Sequence, residues 1–247
     1  MPIKAAHRAR VTVTRVTVNI SEEVVRVTAG EDTLEGNLSI PENAGGVVLF
    51  AHGTGSSRLS PRNRFVARVL ASAGLATLLF DLLTPDEEAI DLLSRDLRFN
   101  IGLLAARLVG ATDWVRRRPD LEHMPVGYFG ASTGAAAALV AAVERSEVVR
   151  AVVSRGGRPD LAGEALARVR AATLLIVGGL DEPVIQLNQA ALVHLRTDKR
   201  LVIIPGATHL FEEPGALDEV ARVAREWFEL HLLHAATNRA APRTQQA

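Results

Sequence analysis

The sequence predicts an α/β domain built on a mostly parallel sheet with helices on both faces. Three observations predict it. Beyond Gly46, strand-like apolar runs alternate with segments of helical spacing, a succession that calls for parallel strands joined by crossover helices. Gly130-Ala131-Ser132-Thr133-Gly134 stands between an apolar strand pattern and a helix with almost no polar face. The chain has 247 residues, 48% of them hydrophobic, which is enough for one domain with a substantial core.

The elements follow in order. Residues 1–10 are basic (Lys4, Arg8, Arg10), and Val11–Val18 alternates apolar and polar residues as a strand does, not as a continuous apolar leader does. Residues 1–20 therefore read as an N-terminal extension or strand, 21–234 as the domain, and 235–247 as a disordered tail without apolar pattern. Val24–Val27 and the alternating Leu34, Gly36, Leu38 and Ile40 form an antiparallel pair across the turn at Thr28–Asp32. Gly45–Ala51 is the next strand. Phe65, Val66, Val69 and Leu70 have helical spacing, and Leu75–Phe80 is a strand. Asp86-Glu87-Glu88 has the charge of a helix start. Asp96 to Arg118 carries helical apolar positions at Ile101, Leu104, Leu108, Ala111 and Val115. Met124–Phe129 then reads as a strand, Ala135–Val143 as a helix and Val149–Ser154 as a strand. A short helix around Glu164–Arg170 and strands at Thr173–Val177 and Arg200–Ile204 complete the pattern.

A Gly-x-Ser-x-Gly turn between strand and helix is the arrangement that holds a serine hydroxyl above a sheet, strained and exposed. Such a hydroxyl is a weak nucleophile until a base takes its proton. In this arrangement an acid and then a histidine follow the serine along the chain, each after a later strand. Asp181 follows the Thr173–Val177 strand, with Glu182 as its neighbour and rival, and His209 follows the Arg200–Ile204 strand. Ser132, Asp181 and His209 are thus the candidate nucleophile, acid and base. Acyl transfer also needs N–H donors for the oxyanion. The amide of Thr133 is one candidate, and that of Thr54, freed to turn inward by Gly53 and Gly55, is the other. His52 reads as a residue that fixes this loop by hydrogen bonds.

With these landmarks on the page, the chain resembles the α/β-hydrolases, and among them the small, lidless dienelactone hydrolase-like group, from about Leu34 to Leu233. The resemblance implies an eight-stranded sheet and no cap domain. Dienelactone hydrolase itself uses a cysteine nucleophile, and this chain has no cysteine, so serine chemistry on esters is what carries over. The run from Pro61 to Leu83 and the Ser154–Asp160 loop also resemble a bacterial hydrolase subgroup sometimes fused to a phosphoribosyltransferase domain, which is not read in this sequence.

The segment between the Val149–Ser154 and Thr173–Val177 strands is too short for a cap, which predicts an open, shallow site suited to small soluble esters. Candidate substrate contacts are Arg155, Arg58 and Gly55. Arg155, at a strand end beside two glycines, is suited to a carboxylate or phosphate on the acyl side, or else anchors the Asp160 or Asp181 loop. Arg58 lies in a basic run with Arg62 and Arg64, and Asp81 can anchor one of these arginines.

Lys plus Arg and Asp plus Glu number 28 each, a zero balance that argues against charge-driven binding to nucleic acid or a membrane surface. The absence of cysteine removes disulfides and thiolate metal sites and fits a reducing, cytoplasmic setting. No histidine pair has metal-ligand spacing, the glycines do not follow Gly-x-Gly-x-x-Gly, and the expected chemistry uses no cofactor. The reading is a serine hydrolase acting on small carboxylic esters or lactones. A thioesterase of the same mechanism and a non-catalytic binding protein on this scaffold are the alternatives.

Overall fold

A computed structural model of the chain describes residues 19–233, so the Val11–Val18 strand pattern and the tail after residue 234 lie outside the described residues. Two long strands, β1 (Ile20–Ala29) and β2 (Asp32–Pro41), form an antiparallel hairpin. β2 runs antiparallel to β4 (Ala76–Phe80), and from there every pairing is parallel through β3 (Val47–Ala51), β5 (Val126–Ala131), β6 (Val149–Arg155), β7 (Ala172–Gly178) and β8 (Lys199–Ile204). The eight strands lie in the order β1-β2-β4-β3-β5-β6-β7-β8. The central strands β3, β4, β5 and β7 are buried at every residue, as expected of a sheet covered on both faces.

One face carries α3 (Ile101–Arg116), α4 (Thr133–Glu144) and α5 (Glu182–His194), and the other α1 (Pro61–Ser72) and α6 (Ala216–Phe228). The strand side chains divide accordingly: Val152 joins the α3–α4 core and Val153 the α1–α6 core. α4 buries Ala135 through Leu139 completely, because β-strands pack beneath it while α3 crosses above. In that core the Tyr128 hydroxyl meets Thr112 Oγ1 at 2.6 Å, and burial pushes its proton affinity up.

One element meets the sequence expectation and two differ from it. The acidic cluster at 86–88 opens a full helix, α2 (Pro85–Ser94), with a reciprocal capping box between Thr84 and Glu87. The helix expected from Asp96 begins at Ile101, because Asn100 Oδ1 accepts the Leu103 N–H and caps it there. Residues 97–99 form a separate 3₁₀ turn. The short helix expected around Glu164–Arg170 is a 3₁₀ segment, Pro159–Arg168, kinked at Gly163 (φ 53°). Nothing else lies between β6 and β7, so no cap domain covers the C-terminal strand ends there.

Candidate active site

The turn from β5 into α4 puts Ser132 at φ 51° and ψ −123°, a conformation few non-glycine residues adopt. Its flanking glycines are required by close approach. A Cβ at Gly130 would strike Ala135 and the Gly134 carbonyl, and one at Gly134 would overlap the carbonyl oxygens of Ala51 and His52. The strain persists because the helix and β3 press in from both sides. The Ser132 N–H donates to the Arg155 carbonyl at 3.4 Å, and its own carbonyl accepts from Ala135 and Arg158, each at 3.1 Å. The hydroxyl is left facing out of the sheet end, half-exposed and without a hydrogen bond to the protein among the described residues.

Asp181 and His209 come from adjacent strand ends. A Cβ at Gly178, the last residue of β7, would strike the carbonyl oxygens of Ala207 and Thr208, so glycine there lets the chain after β8 cross over β7. Leu180 N–H bonds the Ala207 carbonyl at 2.9 Å and locks the crossing. Asp181 precedes α5 but makes no side-chain cap, which leaves its carboxylate for His209. Asp181 Oδ2 and His209 Nδ1 are 2.6 Å apart. With the proton on Nδ1, Nε2 is left as a base on the exposed side of the ring. The imidazole is 41% exposed and the carboxylate 14%, an accessible base backed by a shielded anion. Among the described residues Glu182 accepts only from Gln186 Nε2, at 3.3 Å, one turn along α5, and does not meet the imidazole. His209 also lies against the residue after Arg155: a Cβ on Gly156 would sit 3.6 Å from His209 Cε1. The ring therefore meets the end of β6 next to Ser132. The distance from hydroxyl to imidazole is not closed by a hydrogen bond, as is common before substrate binds.

The loop after β3 forms the opposite wall. Thr54 Oγ1 lies 3.1 Å from Thr133 Oγ1, which ties this loop to the start of α4. Thr133 is the first residue of α4, where an amide has no carbonyl partner within the helix. No described acceptor takes the Thr54 N–H either. Both are available donors beside Ser132.

His52 accepts the Leu82 N–H at Nε2 (3.1 Å), so its proton sits on Nδ1 and donates to the Gly53 carbonyl (3.1 Å). Burial holds its proton affinity below the ordinary histidine value and keeps it neutral. Arg58 donates its backbone N–H to Asp81 at 2.8 Å, and its guanidinium pairs with Asp81 and, at 2.5 Å, with Glu35. The geometry gives Arg58 the task of fixing this loop to the end of β4. Gly55 lies exposed at the loop tip with φ +66°.

Sequence reasoning missed Arg98. It pairs with buried Asp91, whose carboxylate also takes the Arg98 backbone N–H at 3.1 Å, and it lines a small recess with Thr54, Gly55 and Leu83. Asp91 is the lone buried residue of α2, and a carboxylate on the inner face of a helix was the available signal. Among the described residues no three His, Cys, Asp or Glu side chains cluster to hold a metal ion.

The dienelactone hydrolase family model matches residues 34–233, which contain every residue of the candidate site. The chain belongs to the dienelactone hydrolase family. A dienelactone hydrolase structure from Anabaena variabilis is 67% identical, with a TM-score of 0.85 over 86% of this chain and 99% of that one. A Mycobacterium tuberculosis protein called "Putative phosphoribosyl transferase" is 57% identical over 213 residues. That match covers 86% of this chain but 47% of the relative, so the chain spans about half that protein's length. A dienelactone hydrolase-like phosphotriesterase from metagenomic libraries shares the fold at 19% identity and a TM-score of 0.70, over 86% of this chain and 99% of its own. The match places residues 34–233 in a family of hydrolases. Among the described residues no helix is long and apolar enough to cross a membrane.

Proposed function

We propose that the protein hydrolyses small carboxylic esters, lactones included, through an acyl-enzyme on Ser132. The observation that carries this reading is the 2.6 Å bond between Asp181 and His209, with the ring beside Gly156 at the end of β6, the strand paired with the one that leads into Ser132. His209 Nε2 takes the hydroxyl proton as Ser132 Oγ bonds to the ester carbonyl carbon. The carbonyl oxygen becomes an oxyanion, and the Thr133 and Thr54 amides donate to it. Collapse of this intermediate breaks the bond to the alcohol oxygen, which receives the proton from His209. Water then attacks the acyl-serine by the same route, its proton passing through His209 to Ser132, and the acid leaves.

The open strand ends between β6 and β7 favour small substrates over long acyl chains. A lactone is a cyclic ester and uses the same steps, and a thioester would differ only in its leaving group. The transferase activity in the mycobacterial relative's name is not part of this proposal, because all residues used here lie in the hydrolase-family region.

Labelling by a fluorophosphonate, with Ser132→Ala as control, tests the assignment. The wild type should form one covalent adduct at Ser132, and Ser132→Ala should neither label nor retain more than about 10⁻³ of the turnover of 4-nitrophenyl acetate. A folded Ser132→Ala variant with near-wild-type turnover would sink the reading. Failure of the wild type to label or turn over any ester would favour a non-catalytic binding role.

A further inference from the structure

The buried face of α5 consists of Val184, Ile185, Asn188 and Ala191, and Asn188 is the polar residue among them, fully shielded from solvent. Its Nδ2 donates to the Val184 carbonyl at 2.8 Å and to the Gly157 carbonyl at 3.0 Å. The first bond stays within the helix, and the second leaves it. Two carbonyls at one end of the amide fix its orientation, with the NH₂ towards them and Oδ1 away. Oδ1 is buried and meets no donor among the described residues. An unpaired buried acceptor is destabilising, and asparagine is a weaker helix former than leucine. Helix stability therefore gives no reason for an amide at this position. The bond to Gly157 does.

Residues 155–158 join the three parts of the proposed triad. The Arg155 carbonyl accepts the Ser132 N–H at 3.4 Å, and the Arg158 N–H donates to the Ser132 carbonyl at 3.1 Å. The Arg155 side chain turns elsewhere, onto Asn63 Oδ1 at 3.2 Å. Gly156, at φ 51°, packs on His209: a Cβ there would lie 3.1 Å from the His209 carbonyl oxygen and 3.6 Å from Cε1. Its N–H donates to the Ile176 carbonyl of β7 at 2.8 Å. A Cβ at Gly157 would strike Ala135 in the first turn of α4 and Ser154 Oγ. The segment is thus wedged between α4 and the His209 loop, and Asn188 ties its middle to α5, the helix that begins just after Asp181.

Resting on the esterase reading above, we propose that Asn188 is a positioning residue: by holding the Gly157 carbonyl it sets the separation between the His209–Asp181 pair and the Ser132 hydroxyl. The pair itself does not need this bond, because the Leu180–Ala207 hydrogen bond and the crossing at Gly178 already hold it. Ser132 is what the bond aligns. Without it the Gly157 carbonyl is unpaired, and residues 156–158 can shift. The Arg158 N–H then moves off the Ser132 carbonyl, and the Gly156 surface moves off the imidazole. A misplacement of about 1 Å between reacting groups costs on the order of 10²-fold in rate.

The test compares three variants with wild type. Asn188→Leu and Asn188→Ala remove the donor with and without filling the space, so one remains if the other fails to fold. Asn188→Gln keeps an amide NH₂ and serves as the rescue. The readouts are kcat and KM for 4-nitrophenyl acetate, the rate of fluorophosphonate labelling at Ser132, the downfield proton resonance of the His209 Nδ1–H, and Tm. In the Leu and Ala variants kcat and the labelling rate should fall together by about 10- to 100-fold, with KM within about twofold. The Nδ1–H resonance should persist, because the bond to Asp181 is made independently of Asn188, and Asn188→Gln should recover part of the lost rate. A folded Leu or Ala variant with wild-type kcat and labelling rate, however far its Tm falls, would make Asn188 a packing residue and overturn the proposal. Loss of the resonance together with activity would also overturn it, by placing the effect on the Asp181–His209 pair. A wild type that neither labels nor turns over any ester sinks the esterase reading and this proposal with it, whereas an active wild type with unimpaired variants sinks this proposal alone.

Discussion

Replacing Asp181 by asparagine removes one charge behind the imidazole and changes what its near atom can offer. In the wild type, Oδ2 accepts the Nδ1 proton at 2.6 Å, fixing the tautomer that leaves Nε2 free. An asparagine can present its NH₂ instead, which forces the proton onto Nε2 and leaves Ser132 without a base. The charge matters as well, because the imidazole becomes cationic while it holds the serine proton. At a separation of roughly 4 Å between charge centres and an effective dielectric of about 20, the lost attraction is about 4 kcal/mol. That alone is about 10³-fold in rate, and the tautomer change brings the expected loss to ~10³–10⁴ in kcat. KM should move little, because the carboxylate is 14% exposed and stands behind the ring. The Tm should also hold, since Asp181 makes no helix cap for the variant to lose. Glu182→Gln is the control. Its carboxylate touches only Gln186 on the exposed face of α5, so turnover should stay within about twofold. The assay is steady-state hydrolysis of 4-nitrophenyl acetate by both variants, with melting curves. Near-wild-type kcat in Asp181→Asn, or a larger loss in Glu182→Gln, would refute the argument.

Two further outcomes follow from the packing around the site. Buried His52 must stay neutral to accept the Leu82 N–H, so its folded proton affinity lies below the ordinary value of 6.5. The unfolded chain then binds the extra proton, and this part of the stability is present above about pH 6.5 and is lost as pH falls towards the lower folded value. His52→Gln, which can still accept from Leu82, should therefore gain Tm relative to wild type between pH 7.5 and 5.5, and a pH-independent difference would contradict this. Gly134→Ala forces a Cβ into the carbonyls of Ala51 and His52, backbone atoms that cannot rotate aside. It should cost about 3 kcal/mol or more, read as a fall in Tm of roughly 6–12 °C.

The fold was legible where one physical demand governs a whole segment. Strands buried on both faces must be apolar throughout, so β3, β4, β5 and β7 stand out in the sequence. Ser132, Asp181 and His209 were legible for a related reason, since each follows a strand that the parallel sheet aligns at one edge. The sequence reading names Asp181 as the acid with Glu182 as its rival, and the pairing of Asp181 with His209 is a matter of the fold. It depends on how the chain after β8 crosses Gly178, a contact between segments about 30 positions apart. α2 was harder still. It exposes Ile90, Leu92 and Leu93 and buries Asp91, the reverse of the usual helical pattern, so periodicity points away from its real inner face.

Arginine marks the point at which sequence reading stops, and the reason is electrostatic. Arg58, in the loop after β3, and Arg155, the last residue of β6, are both candidates for an anionic ligand on position alone. Their roles separate only when the fold delivers, or withholds, a carboxylate. Asp81, just after β4, and Glu35 on β2 accept the Arg58 donors, so Arg58 is neutralised and ties the loop that carries Thr54 to the sheet. His52 makes a second tie to the same strand end through Leu82. The loop that carries Thr54 is therefore held in place by internal pairs. β6 delivers Arg155 to a place where α1 offers only Asn63 and where Asp160 is already taken by Arg158. Asp181 is likewise committed to His209. Neither of those two acids is left for Arg155, and the pairing that separates the two arginines is set by the fold, not by their place in the sequence.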